Sequence, residues 1–278
     1  GDNVMPWGIP NRSHQMFFVT VGYALANGME LYAFGNYGAV DSDGSFFYRY
    51  PGNGTIEDLR NADGSIYNPL EKFPGGFTPR FEGEVEDMSI AGGIRGNVTD
   101  ATTFDLSARF GSSEIDYRLF NTINPSLGAA SPTDFRPGTL TNEEVQLQLD
   151  LVTEFDVGFA GPLVFAYGAS YMDETYDVGQ SSQPESYEAG PHAVADPFGF
   201  CNDDGTPTAA GLAIPNAPAD EPLDCANPDD PVYQVVGVGS NGFPGYSPEF
   251  SEEYTRDSYA FYGDLSADVT DRLLLQGA

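Results

Sequence analysis

The sequence predicts an all-β protein, an antiparallel up-and-down transmembrane β-barrel segment of about eight strands with long external loops. Three observations predict it. Apolar and polar side chains alternate with a period of two in segment after segment. Short and long connections alternate without exception, and no stretch approaches the roughly 20 consecutive apolar residues of a membrane helix. A soluble sandwich has no physical reason to collect its long loops at one end of a meander, whereas an outer-membrane barrel has tight turns on one side and long loops on the other.

The elements follow in order. "FFVTVGYAL" sets Phe17, Val19, Val21, Tyr23 and Leu25 against Thr20, Gly22 and Ala24. After the Asn27-Gly28 turn, "MELYAFGNYG" is ambiguous, with Leu31, Ala33 and Tyr37 on one face but Tyr32 and Phe34 on the other. A long connection from about Gly44 to Arg80 leads to "DMSIAGGIRG", where Met88, Ile90 and Ile94 oppose Ser89, Gly93 and Arg95. "TFDLSARFG" follows a short turn and sets Phe104, Leu106, Ala108 and Phe110 against Asp105, Ser107 and Arg109. A second long connection covers about Asn121 to Asn142. The clearest segment comes next: "VQLQLDLVTEF" has a dry face of Val145, Leu147, Leu149, Leu151 and Phe155, and a wet face of Gln146, Gln148, Asp150, Val152 and Glu154. Past the short "GFAGP" turn, "LVFAYGASY" carries Leu163, Phe165, Tyr167 and Tyr171 on one side. The third and longest connection spans Val178 to Glu252, before "YAFYGDLSADV" with Tyr259, Phe261, Leu265, Ala267 and Val269, and an eighth run begins at "RLLLQGA". Only a closed barrel satisfies every strand N–H and C=O in hydrocarbon, so the dry face of Val145, Leu147, Leu149 and Leu151 is expected to meet lipid and the wet face a watery lumen.

Composition excludes several classes. A formal charge of −31 and a single lysine, Lys72, exclude an electrostatic nucleic-acid binder. Direct attraction to anionic head groups is excluded too, unless divalent cations intervene. The opening "GDNVMPWGIP" lacks a basic segment followed by an apolar run, so no signal peptide is expected within it. A chain that opens in a loop and stops within a strand at Ala278 reads as a fragment of a longer protein.

No enzyme is expected. His14 and His192 are the only histidines, both in polar surroundings read as surface loops, with no nucleophile elbow and no His-Glu metal pair. No cofactor or metal is assigned. The acidic stretches at Asp41 ("DSDGS"), Asn202 ("CNDDGTP") and Asn227 ("NPDDP") lack full EF-hand spacing and read as turns, with calcium bridging to lipid phosphates as the minor alternative. Cys201 and Cys225 lie in the same long connection, and a pair in oxidising surroundings closes into a disulfide that limits the freedom of that loop. The aromatics Phe46, Phe47, Tyr48, Tyr254 and Tyr259 suit an interfacial girdle, or stacking on a sugar or aromatic ligand.

"WGIPNRSHQMFFVTVGYALANGMELYAFGNYG", "FPGGFTPRFEGEVEDMSIAGGIRG", "FDLSARFGSSEIDYRLFNTINPSLGAASPTDFRPG" and "LVFAYGASYMDETYDVGQ" resemble consecutive barrel segments of TonB-dependent outer-membrane receptors, with "NTINPSLGAASPTDF" the most specific part. The resemblance covers nearly the whole chain, so residues 1–278 are expected to be an interior part of a 22-stranded barrel, without the plug domain or the motif that contacts the energy-coupling partner. It implies binding and active import of a scarce small-molecule or oligosaccharide ligand across a Gram-negative outer membrane. The outer-membrane lipid and, through the missing plug, the TonB complex are the other implied partners. Siderophores, cobalamin and oligosaccharides are all open as ligands, and the contacting residues are not assigned. A passive porin, a small complete barrel and a soluble glycan-binding β-protein are the alternatives.

Overall fold

In the computed structural model, which describes residues 10–26 and 28–278, ten strands form one large sheet and one small ribbon. Of the turn expected at Asn27-Gly28, Asn27 falls outside the described residues, while Gly28 has φ 82° and Leu25 N–H donates to Met29 O at 2.8 Å. The large sheet contains β1 (Asn11–Ala24), β2 (Glu30–Ser45), β5 (Arg80–Thr99), β6 (Thr102–Phe120), β7 (Asp134–Phe155), β8 (Leu163–Gly179), β9 (Glu253–Thr270) and β10 (Leu273–Gly277). The ribbon is β3 (Leu59–Arg60) with β4 (Ile66–Tyr67). Every neighbour in the large sheet is antiparallel and adjacent in chain order, so the sheet is an up-and-down meander. It is open, with β1 at one edge and β10 at the other.

Directly paired residues in an antiparallel ladder share a face. The register can therefore be followed from strand to strand. Tyr23 pairs with Leu31, Leu31 with Ile94, Ile94 with Leu106, Leu106 with Leu149, Leu149 with Ala169 and Ala169 with Phe261. One row nearer the loops run Val21, Ala33, Gly92, Ala108, Leu147, Tyr171 and Tyr259. The dry faces read separately from each segment thus merge into one apolar face across seven strands. The ambiguous second segment is resolved by its partners: Leu31 and Ala33 join that face, and Tyr32 and Phe34 lie on the other.

Strict alternation puts the three long connections, 46–79, 121–133 and 180–252, at one end of the sheet, and the short turns at the other. Two boundaries differ from expectation. β2 continues through Asp41–Ser45, so "DSDGS" is strand and not turn. β7 begins at Asp134 instead of after Asn142, and Pro137-Gly138 is absorbed by an irregularity opposite Tyr117–Leu119, with Gly138 at φ 132°. The cause is length. β7 has 22 residues, roughly 70 Å of extended chain, so it runs well past its apolar half into a stretch where polar residues dominate and the alternation is lost around Phe135 and Leu140.

The packed core is not where a soluble sheet protein keeps it. Ile56, Leu59, Tyr67, Phe77, Ile123, Phe200, Val232 and Val236 are buried, and all lie in the connections or their ribbon. Leu119 and Phe135 are buried at the loop end of β6 and β7. The long connections hold no helix beyond the four-residue α1 (Ala209–Leu212) and short 3-10 turns. Each of those 3-10 turns opens with proline, at Pro69, Pro125, Pro184, Pro191 and Pro231, where a missing N–H costs nothing and φ is preset. Asn68, Asn124 and Asp230 cap three of them with their side chains.

Candidate functional site

Two regions carry chemistry: the two-faced sheet and the unit built by the three long connections. On β7 the accessibility is inverted relative to a soluble strand. Leu147 is 51% and Leu149 38% exposed, and Val145 is exposed as well, while Gln146, Gln148 and Asp150 between them are half-buried and Leu151 is partly covered. The same face continues through exposed Val21, Ile90, Leu106, Tyr259 and Phe261. Such a contiguous apolar surface is far beyond the scattered patches of a water-soluble monomer. From Val145 to Phe155 it spans about 33 Å of strand, or about 25 Å of height at a tilt of about 40°. Above the band, on the same side, carboxylates stand directly opposite one another: Asp173 with Asp257, Asp177 with Glu253, Glu86 with Glu114, and Glu84 with Asp116. Like charges so placed repel.

The polar face satisfies itself. Near the short turns Arg95 donates to Glu30 at 2.9 and 3.1 Å and lies over the ring of Tyr32, whose hydroxyl donates to Asp105 at 2.6 Å. Asp105 sits across from Asp150, which accepts from Tyr262 and Gln148, both at 2.8 Å. Farther up, Arg109 pairs with Glu144 and Arg256 with Glu174. Nearer the loops this face turns aliphatic, in a single paired row of Val40, Val85, Ile115, Leu140 and Val178. Above that row Phe81 and Tyr117 stack at 5.1 Å and meet Phe243 of the longest connection at 4.7 and 5.3 Å. The loop unit is therefore folded over the polar face.

That unit is held by more than its length suggested. Cys201 and Cys225 are disulfide-bonded, with Cα atoms 5.5 Å apart. Arg60 and Asp230, with side chains 0% and 3% exposed, form a two-pronged ion pair at 3.1 Å. "NPDDP" is the turn expected, closed by bonds from Asp229 and Asp230 N–H to Asn227, and its Asp230 is in addition a buried charge. "CNDDGTP" is a turn, with Asp204 accepting from Thr206. Among the described residues no three His, Cys, Asp or Glu side chains converge as metal ligands would.

The histidines lie elsewhere than expected. His14 is an exposed residue of β1, not of a loop. His192 is 3% exposed and buried under Gly128 and Phe198, not at the surface, because the connection 121–133 packs over it. Burial pushes its pKa below the usual 6.5. A depressed value favours the neutral ring in the fold, so its stabilisation is complete above about pH 6.5 and is lost as the pH falls below that. Urea unfolding of the loop unit is expected to weaken on acidification below this point, and His192→Gln to flatten that dependence; an unchanged slope in the variant would assign the effect to other groups.

Of the expected girdle, Tyr259 lies on the apolar face, against Tyr171 at 5.0 Å, and Phe47 is exposed in the first long connection. Phe46 packs on Phe81, the Tyr48 hydroxyl donates to Gly75 O, and Tyr254 points to the polar side opposite Tyr176. No family model and no curated protein matches the chain. Among the described residues no helix is long and apolar enough to cross a membrane, which says nothing about crossing by strands.

Proposed function

We propose that this sheet is a section of wall of an outer-membrane β-barrel, and that the barrel is a TonB-dependent receptor importing a scarce ligand. The observation that carries the reading is the inverted alternation: one face presents apolar side chains over about 25 Å of height, interrupted on β7 only by Thr153, and the other pairs its polar groups. In this reading Val145, Leu147, Leu149 and Leu151 face lipid, the polar face lines the lumen, and the loop unit stands outside the cell. A loop unit folded over the lumen side supports a selective receptor over an open porin, because an open pore gains nothing from a covered mouth. The class of ligand, whether siderophore, cobalamin or oligosaccharide, is carried by the family resemblance alone, as is coupling to the TonB complex.

The test uses cells that carry the whole receptor. Protease added to sealed cells is expected to cut within 180–252 or 46–79 and to spare the turns at 100–101 and 156–162; cutting at the short turns would overturn the orientation. Uptake of candidate ligands is expected to stop when the inner-membrane proton gradient is collapsed. Uptake that persists would instead identify a passive pore, and a chain that stays monomeric in buffer without detergent would favour the soluble glycan-binding alternative.

A further inference from the structure

One residue ties all three long connections together. Asn241 in 180–252 donates its backbone N–H to Ile123 O at 2.8 Å, and its carbonyl accepts from Thr122 Oγ1 at 2.6 Å. Its side chain accepts from Arg49 Nε at 2.7 Å and donates to Thr55 Oγ1 at 3.3 Å. Two of its bonds thus reach the connection 121–133 and two reach 46–79. Other contacts repeat the pattern. Asn124 donates to the carbonyls of Glu185 and Glu188, both at 2.9 Å, and Arg60 grips Asp230. The two apolar clusters also mix connections: Ile56 and Phe77 with Ile123, and Leu59 and Tyr67 with Val236.

Two residues beyond Asn241, Phe243 packs against the stacked pair of Phe81 and Tyr117 on the polar face. Tyr246 extends this contact and donates its backbone N–H to Pro137 O at 2.8 Å. The stretch 241–246 therefore does two jobs of different chemistry. The Asn241 end uses directional hydrogen bonds whose partners would be left unpaired if it moved. The Phe243 end uses ring contacts, which are less directional and are replaceable by any flat apolar surface, beside the one backbone bond from Tyr246 to Pro137.

We infer that the three connections are one rigid gate, locked internally at Asn241 and clasped to the sheet at Phe243, which opens by releasing the clasp while the lock holds. Separate closure of each loop is then excluded: the connections move together or not at all. The inference does not depend on membrane insertion or on transport, since it concerns only how the loops are coupled.

Native-state hydrogen exchange on the folded full chain tests it. In the unaltered protein the protected amides of Phe77, Thr122 and Val236, one from each connection, are expected to share one opening constant and one denaturant dependence. Three distinct opening constants would overturn the gate. Asn241→Ala removes the side-chain bonds to Arg49 and Thr55 but keeps the backbone bonds to Ile123 and Thr122; in one coupled gate it is expected to raise exchange at least tenfold in 46–79 and, through the shared opening, in 121–133 as well as locally, whereas Phe243→Ala leaves protection inside the loop unit within twofold and frees the rings of Phe81 and Tyr117. A rise confined to 240–246 in Asn241→Ala, or loss of protection throughout the unit in Phe243→Ala, would overturn the assignment of lock and clasp. Should Asn241→Ala fail to fold, the exchange pattern of the unaltered protein still decides between one gate and three loops.

Discussion

Arg60→Met is expected to lower the stability of the loop unit by about 3–5 kcal/mol, the usual cost of stripping one partner from a buried ion pair. The carboxylate of Asp230 would stay in place, since it also accepts from the backbone N–H groups of Asp224 and Val232, and it would be left as an uncompensated charge. Arg60 would lose its donations to Gly64 and Glu221 carbonyls as well. A second change, Asp230→Asn in the Arg60→Met background, removes the stranded charge while keeping the capping acceptor, and is expected to recover part of the loss. Urea unfolding followed by proteolysis of the connections measures both. A loss below about 1 kcal/mol for Arg60→Met would mean that water reaches the pair and that the unit is looser than its burial indicates.

Charge on the apolar face is the second large effect. Leu149 pairs with Leu106 and Ala169 in the row that also holds Leu31, Ile94 and Phe261. If that row lies near the middle of a bilayer, Leu149→Arg costs roughly 2–4 kcal/mol, whereas Gln148→Arg, one residue away and on the other face, reaches water. Folding yield of the intact protein into lipid vesicles is expected to fall for the first and stay near normal for the second. Equal yields would remove the lipid assignment for the whole face, because the register makes these residues stand or fall together.

What could be read from the sequence, and what could not, follows from one cause. Period-two patterning appears only where a strand's two faces meet different surroundings, as at Val145–Phe155. It fades at Asp41–Ser45 and Thr139–Glu143, where both faces are largely polar, and sequence patterning alone gives turn and loop there. The order of short and long connections needed no such contrast and was legible throughout. The loop core was not legible, because its partners are remote: Arg60 and Asp230 are 170 positions apart, and Asn241 lies 192 from Arg49. His192 is buried by Gly128 and Phe198, and nothing beside it in the chain marks that. The cysteine pair was readable because only two cysteines exist to be joined.

The opposed carboxylates above the apolar band give the fold a dependence on its ionic medium. Asp173 faces Asp257 and Asp177 faces Glu253 across one ladder, and Glu86 faces Glu114 across another, so assembling these strands concentrates negative charge that the unfolded chain keeps apart. Mobile counterions damp that repulsion over about 10 Å at 0.1 M salt but only over about 30 Å at 0.01 M. Strand pairing at this level therefore gains from electrolyte in a way that the neutral rows of Leu106 and Leu149 below it do not. In dilute buffer the upper ends of β8 and β9, and of β5 and β6, come under strain before the neutral rows below them.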